Sequence, residues 1–537
     1  MDCKLQANLP ISLVAGYRHQ WHQKLLVGVL TTTSFATPGY AAPATPNPQM
    51  APSPQAAPSP QTAPSPQTAP SADYCQIPAA EVSAKNVLRL AAKNGDRNSQ
   101  NKYAEIVKKH ANDVTQCRQK SWLKNQAIWV RLYPCDTRPG DLEEILDRMV
   151  NKGYNQVYVA TFYGKALLPR SSNRTAWNSV LTSRGTDKTD LLADSIQKGR
   201  ERGMKVYAWM YSLNFGPEYA VTPEGQSTIA INGRGETTLF AGEEGFQKAT
   251  DGRTSSVLFV DPYSTKAKTD YEQIVREVVN RKPDGLLFDY IRFPRGQGPQ
   301  SIASQVKDLW IYGDESRKTL ASLAQNQKGT DLIDRFLTKG GITINDLKEV
   351  DKLYPNEVSP LWQGRTPLEA EATMSYEDKF PWIEWDLWQL TLAHASQGVV
   401  NFLKSASAPV EQQRLRSGAV FFPEANQPVG RRGYDSRVQP WDRFTTNEWH
   451  PMAYATCNRS DCIVEQIRRV LNFAPTTTEV VPALAGNWGR ATEGRPSLEV
   501  QMDGIHRSLP RIQSISHFAF SWQEPELDYY RSSCQLK

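Results

Sequence analysis

Most of the chemistry in this sequence is concentrated in one run, Asp284-Gly285-Leu286-Leu287-Phe288-Asp289-Tyr290-Ile291-Arg292-Phe293-Pro294. Apolar residues lead to a carboxylate, Asp289, set between Phe288 and Tyr290. A carboxyl among aromatic rings is poorly hydrated, which favours its neutral form and suits it to donate a proton. Alternation along a strand would place Leu287, Asp289 and Ile291 on one face. The structural alternative is an ion pair of Asp289 with Arg131 or Arg292. Aromatic side chains are the second signal. Sugars present flat C–H faces that rings can cover, and Tyr163, Trp209, Tyr211, Trp488 and Trp522 all fall at or near the ends of β-rich runs. Arg131, Arg292, His450 and Asn487 are candidate polar contacts to the same ligand; His450 could equally cap a barrel interior. Trp382, Trp385 and Trp388, spaced by three, read as the buried stripe of a helix.

Such residues need a scaffold, and the sequence from Gln126 onward supplies a repeating one. Eight β-rich runs occur in order: Ala127–Tyr133, Gln156–Tyr163, Lys205–Ser212, Gly285–Phe293, Gly418–Pro423, Trp449–Ala455, Val480–Ala485 and Ser514–Trp522. Amphipathic stretches lie between most of them, at 141–151, 191–202, 265–280, 382–404, 463–473 and 498–509. Asp141, Asp190 and Ser264 are expected N-caps. Strands alternating with helices imply parallel pairing. Eight of them over about 410 residues imply an α/β fold of the closed (β/α)8 TIM barrel type, with an open doubly wound sheet as the alternative. The connections are uneven. Residues 213–263 and the insertion 294–381 are long enough to be functional, and in a barrel both would lie at the C-terminal face, where such folds place their sites.

The order of motifs resembles the glycosyl-hydrolase-like family 10, a (β/α)8 group. The matching pieces are Ala127-Ile128-Trp129-Val130, Tyr154-Asn155-Gln156-Val157-Tyr158, Arg202-Gly203-Met204-Lys205-Val206-Tyr207-Ala208-Trp209, Val260-Asp261-Pro262, the Asp284–Pro294 run and Pro451-Met452-Ala453-Tyr454. The resemblance implies a glycoside hydrolase acting on polysaccharide or cell-wall glycan, with Asp289 as its functional carboxylate. Glycoside hydrolysis normally uses two carboxylates. Glu424, directly after the fifth run, is the candidate for the second. Glu448 precedes the sixth run and ranks lower, and Asp442 is a loop candidate. If the substrate carries an N-acetyl group, that group can be the nucleophile, and one acid with an orienting tyrosine such as Tyr454 suffices. The contrasting expectation is a non-catalytic glycan-binding or envelope scaffold protein on the same fold.

The ends of the chain read differently. Arg18 and Lys24 precede the apolar run Leu25–Leu30, and small residues follow at Gly39 and Ala41. Residues 1–41 are therefore expected to be a secretory signal peptide, and the protein to be periplasmic or extracellular. Residues 42–72 hold ten prolines in a repeat of the APSPQT type. They are expected to form a disordered, extended tether reaching roughly 90–100 Å at ~3.1 Å per residue. Residues 73–122 should be a small helical segment and 123–537 the barrel. Six cysteines remain after Cys3, an even number that suits disulfides in an oxidising compartment. Of fifteen possible connectivities, Cys75–Cys117, Cys135–Cys534 and Cys457–Cys462 are expected.

Composition excludes other classes. The 537 residues carry a net charge of +6, and residues 1–41 account for +2 of it. The remainder is too mild, and too evenly spread, to argue for nucleic acid. No later segment is apolar enough to span a bilayer. There is no CxxC pair for a metal, and no GxSxG, Walker or GxGxxG motif in context, so neither metal nor cofactor is expected.

Overall fold

The computed structural model describes residues 74–238, 257–296, 298–534 and 536. The expected signal peptide and tether lie outside the described residues. Eight strands form the centre: β1 (Asn125–Val130), β2 (Gln156–Phe162), β3 (Lys205–Tyr211), β4 (Gly285–Asp289), β5 (Arg416–Phe421), β6 (Glu448–Ala453), β7 (in two pieces, Glu479–Val480 and Ala483–Ala485) and β8 (Ser514–Phe518). Each pairs in parallel with the next, and β8 pairs with β1 through Asn125↔Ser514 to Ile128↔His517. The sheet is thus a closed (β/α)8 barrel. Strands β2 and β4 are buried along their whole length, as expected when helices cover the outside and side chains fill the inside.

Local chemistry explains the helices. α1 (Ala79–Lys93) and α2 (Arg97–Lys120) precede the barrel; α3 (Asp141–Asn151), α4 (Leu191–Glu201) and α5 (Thr265–Val279) follow its first three strands. In α3, Leu142, Ile145, Leu146, Met149 and Val150 form one buried stripe, while Asp141, Glu143 and Glu144 favour the positive end of the helix dipole. Asp190 and Ser264 cap α4 and α5, their side chains accepting from Ala193 N and Ala267 N. Asp141 instead occupies the first turn of α3, because Gly140 takes the cap position with φ 84°.

The insertion after β4 carries α6 (Asp314–Ala321), α7 (Gln327–Lys339) and α8 (Ile344–Leu353) before α9 (Tyr376–Gln412). The last of these is longer than the expected 382–404, running 37 residues through Pro381 and Pro409. At ~1.5 Å per residue it spans roughly 55 Å, well beyond the height of the barrel. Its start packs on the insertion, burying Ile383 and Leu387 on a different face from the first two tryptophans. Trp388 is buried, but Trp382 and Trp385 are 39% and 37% exposed, which corrects the expected buried stripe. α10 (Asp461–Leu471), α11 (Leu498–Ser508) and α12 (Pro525–Ser533) complete the chain. A small antiparallel sheet, Ile302–Ala303 with Gly433–Asp435 and Pro428–Val429, ties the insertion to the loop after β5.

Large rings fill the barrel. Trp129 lies 4.8 Å from Tyr158 and 5.0 Å from Trp209, and Tyr158 lies 5.4 Å from Tyr207 and 5.5 Å from His450. Room for them comes from small residues opposite. A Cβ at Gly418 would come within 2.6 Å of Leu287 and 2.8 Å of His450 Nε2.

α1 and α2 are fixed to the barrel by a buried polar network. Arg202 donates to Asp147 Oδ1 (2.9 Å) and to the Tyr103 hydroxyl (2.8 Å), which donates to Asp147 Oδ2 (2.7 Å). At their lower end a Cβ on Gly153 would lie 2.1 Å from the Tyr74 carbonyl, so the chain there approaches to backbone distance. Disulfides join Cys75 to Cys117, Cys135 to Cys534 and Cys457 to Cys462, with Cα separations of 5.6, 6.2 and 6.5 Å. The second brings α12 to the end of β1, where Arg531 also pairs with Asp136 at 2.6 Å.

Candidate active site

Asp289 is the last residue of β4 and lies at the C-terminal mouth of the barrel. It is 7% exposed. One carboxylate oxygen accepts from the Trp209 indole N–H at 3.0 Å and the other from the backbone N–H of Tyr290 at 2.6 Å. Burial pushes its pKa up to about 6, against the opposing pull of those two bonds and of Arg292. No salt bridge to Arg131 or Arg292 forms within 4 Å, so the ion-pair alternative does not hold among the described residues. Nor is any second carboxylate among the groups that shift Asp289.

The expected strand ran to Phe293, but β4 stops at Asp289. Tyr290 adopts φ 54°, breaks the alternation, and brings its ring 4.3 Å from Tyr211. Ile291 is buried, but not as the next residue of a continuing strand. Sequence reasoning missed Tyr290, because alternation would have sent it outward.

The ends of β1 to β3 converge on this point. Tyr211 and Asp289 are register partners, and Tyr211 is close enough to both Asp289 and Arg131 to feel their charges. Burial raises the Tyr211 pKa; Arg131 opposes the rise and Asp289 adds to it. The Arg131 Nη2 lies 3.5 Å from the Tyr211 hydroxyl, and its guanidinium stacks 4.5 Å over the Tyr163 ring. Trp209 packs 5.6 Å from Tyr211 and 6.2 Å from Phe518. Tyr454, just past β6, lies 6.0 Å from Phe518. Its pKa is raised first by burial and then by the charge of Asp289, which places the two groups near one another. Arg292 stacks 4.7 Å over Tyr290 and donates to the Phe293 carbonyl at 2.9 Å. Asp289, Trp209, Tyr211, Tyr163, Arg131, Arg292 and Tyr454 are thus one group. Phe518 joins it unanticipated.

Other expected residues lie elsewhere. His450 is fully buried in the barrel interior, its Nε2 2.9 Å from Glu448. Of its two anticipated places, the structure gives the interior one. Glu448 begins β6 at the far end and is also held by Arg416 and by the Tyr207 hydroxyl at 2.9 Å. Trp488 donates to the Tyr154 hydroxyl at 3.0 Å and packs on His517 and Tyr74. Because Ser516 and Phe518 face inward, His517 faces out, and Trp488 with it leaves the mouth. Asn487 opens the same loop, with its Oδ1 buried and unbonded among the described residues. Trp522 is half-buried in the short helix Phe520–Gln523 after β8.

Glu424 follows β5, but Arg437 engages it at 3.3 Å while also holding Asp435 at 2.7 Å. Its second oxygen, Oε2, is buried without a partner. Asp442 accepts from Asn426 at 2.7 Å on the surface. Asp261, of the Val260-Asp261-Pro262 motif, is buried and accepts from Tyr263 N and Ser316 N, so it caps α6 and fastens the insertion to the loop before α5. Burial raises its pKa to about 6 as well. A polar cavity of about 360 Å³ opens at the opposite end of the barrel, near Lys124, Arg416 and Arg511. Among the described residues no cluster of His, Cys, Asp or Glu is arranged to hold a metal ion. No described helix is long and apolar enough to cross a membrane.

No curated protein sequence matches the chain. Among solved structures, the PgaB (BpsB) glycoside hydrolase domain from Bordetella bronchiseptica aligns with a TM-score of 0.43 and 15% identity, over 77% of this chain and 99% of that one. A GH18 chitinase from Pseudoalteromonas aurantia aligns with a TM-score of 0.32 and 9% identity, over 74% and 94%. A GH20 exo-β-N-acetylglucosaminidase from Vibrio harveyi aligns with a TM-score of 0.34 and 9% identity, over 76% of this chain and 52% of that one. Residues 121–388, from β1 through the insertion into α9, match the model of the family Glycosyl hydrolase-like 10, and the barrel that carries Asp289 belongs to that family.

Proposed function

We propose that this protein is an exported glycoside hydrolase acting on polysaccharide, with peptidoglycan-type cell-wall glycan as its substrate and Asp289 as its proton donor. The observation that carries the reading is Asp289 itself: a buried carboxyl at the mouth of a glycosidase-type barrel, bonded to Trp209, unpaired with any cation, and raised to about 6. A carboxyl so placed can hold a proton near neutrality and give it to a glycosidic oxygen. Trp209, Tyr211 and Tyr163 offer rings for the sugar faces.

Among the described residues no second carboxylate acts on Asp289, which favours assistance by an N-acetyl group. In that route Asp289 protonates the leaving oxygen while the acetamido carbonyl oxygen attacks the anomeric carbon. The C–O bond breaks and a cyclic intermediate forms; water then opens it, losing its proton to the Asp289 carboxylate. Tyr454, close to Asp289, would hold the acetamido group in place. Glu424 is the candidate for a two-carboxylate route, but it would first have to leave Arg437. Export is supported by the Arg18–Ala41 pattern, by the proline-rich run and by three disulfides, which persist in oxidising compartments.

The absence of a carboxylate partner equally motivates a second reading, a glycan-binding protein without turnover. Incubating the purified protein with peptidoglycan strands and other polysaccharides decides between them. Release of reducing ends by the native protein, abolished in Asp289→Asn, is expected. Binding without release would establish the second reading. Full activity in Asp289→Asn would remove Asp289 from the mechanism.

A further inference from the structure

Two arginines at the mouth are left without an acid partner. Arg131 leaves the end of β1 half-buried, and its one side-chain hydrogen bond among the described residues is the 3.5 Å contact with the neutral Tyr211 hydroxyl. Tyr163 lies under its face. Among the described residues no carboxylate lies within salt-bridge distance of it. Arg292, also half-buried, donates only to a backbone carbonyl and is surrounded by the rings of Tyr290, Phe259 and Phe422 at 4.7, 5.6 and 5.8 Å. Most buried guanidiniums of this barrel have an acid: Arg202 has Asp147, Arg437 has Asp435 and Glu424, Arg531 has Asp136 and Asp528, and Arg365 has Glu371. Arg118 has none, but its donors are met by the carbonyls of Tyr74, Leu123 and Gly153 and by Gln126 Oε1, whereas Arg131 and Arg292 have one side-chain hydrogen bond each among the described residues.

Withdrawing a guanidinium from water with most of its donors unmet is costly, so a fold that satisfies its buried guanidiniums elsewhere and leaves two with one hydrogen bond each near one carboxyl has left a place for an anion to be supplied. The planar fork of arginine matches a carboxylate, and a face already stacked on tyrosine has little freedom to lose on binding. We infer that Arg131, aided by Arg292, recognises a carboxylate carried by the sugar bound at the mouth, so that the preferred substrate is an acidic glycan rather than a neutral one. This rests on the proposed glycan substrate and sharpens it. The two arginines also set the orientation of the chain: the acid-bearing sugar lies toward β1, and Asp289 reaches the linkage beside it.

The test uses cell-wall glycan oligosaccharides bearing free carboxylates and the same oligosaccharides after chemical reduction of those carboxyls to alcohols. Dissociation constants are measured with the full chain carrying Asp289→Asn, so that turnover is not required, and kcat/KM with the native chain. The acidic form is expected to bind about 10-fold or more tightly than its reduced form, the range of one charge-assisted hydrogen bond. Adding Arg131→Gln should bring that ratio toward one, and Arg131→Lys should restore part of it, because the charge survives while the fork is lost. An acid-to-neutral ratio near one in the parent, or a ratio unchanged by Arg131→Gln in a protein with native melting temperature, overturns the inference. Failure of the glycosidase reading shows up separately, as no reducing ends from the native chain whatever the binding ratio.

Discussion

Two buried carboxylates stand at opposite ends of the same barrel, and they are treated in opposite ways. Glu448, at the start of β6, is met by Arg416, by His450 Nε2 at 2.9 Å and by the Tyr207 hydroxyl at 2.9 Å. Burial alone would raise its pKa, but His450 and Arg416 outweigh it and hold the carboxyl down at about 2. Asp289, at the end of β4, has an indole and a backbone N–H but no cation, and burial carries it up to about 6. Both are more than nine-tenths buried, so burial does not distinguish them. Partners do. A carboxylate whose partners are all supplied from within serves the fold, and one whose proton is left available serves chemistry.

The sharpest way to break this contrast is to remove the acid at the mouth. Asp289→Asn is expected to lower kcat/KM on a cleaved glycan by roughly 10²–10⁴, the contribution of one general acid. In the native protein the rate should fall as pH rises through about 6, because the proton to be donated is then gone; a basic limb that stays put in a variant with Asp289 intact but Tyr454 replaced would confirm whose titration it is.

The counterpart at the other end should cost stability instead. Glu448→Gln removes the anion beside the buried His450 and one of the two anions of the half-exposed Arg416, which keeps Glu479, and is expected to destabilise the fold by about 1–3 kcal/mol, read from denaturant unfolding. The sign of its pH dependence follows from its lowered pKa: the stabilisation from Glu448 is present above the ordinary carboxyl value and is lost as pH falls toward 2.

Asp289→Asn should move stability the opposite way. A carboxyl whose pKa is raised in the folded state costs stability above its unfolded value, in full above about 6, and that cost is relieved on acidification. The amide has one acceptor oxygen, so it keeps only one of the bonds from Trp209 and Tyr290 and loses about 1 kcal/mol with the other. The variant is therefore expected to melt higher than the native protein at pH 7.5, by the equivalent of about 1–2 kcal/mol, and to lose that advantage near pH 4. A lower melting temperature at pH 7.5 would show that the carboxylate is compensated after all. The smallest effect is at Tyr454→Phe, where losing one oriented hydroxyl should reduce kcat about 10-fold on an N-acetylated substrate and leave a substrate without that group little affected.

Much of this arrangement was legible from residue order, for definite reasons. Near-continuous apolar runs such as Gly285–Phe288 announce strands covered on both faces, and their alternation with stripes such as Leu142, Ile145, Leu146 and Met149 announces the barrel. Asp289 stood out because a carboxylate in an apolar run has few bland explanations. What alternation could not show was the end of β4: one residue with positive φ, Tyr290, redirects the chain, and a two-residue period carries no sign of that. The tryptophan stripe of α9 misled for a related reason, since spacing records which residues share a face but not which face the neighbouring helices cover. Trp488 and His450 read as ligand contacts in the sequence because each lies near a strand; only the packing of Tyr154, His517 and Glu448 around them shows that one leaves the mouth and the other fills the interior.

The sequence by itself determined the eight-strand alternation, the three cysteine pairs' feasibility and the one carboxyl worth testing, because these depend on local pattern and on what a short run of residues can do alone. The tertiary structure decided which charges are answered. Asp289 and Glu448, or Arg131 and Arg202, look alike in sequence, and their difference arises only when closure of the barrel brings partners from distant strands to one and withholds them from the other.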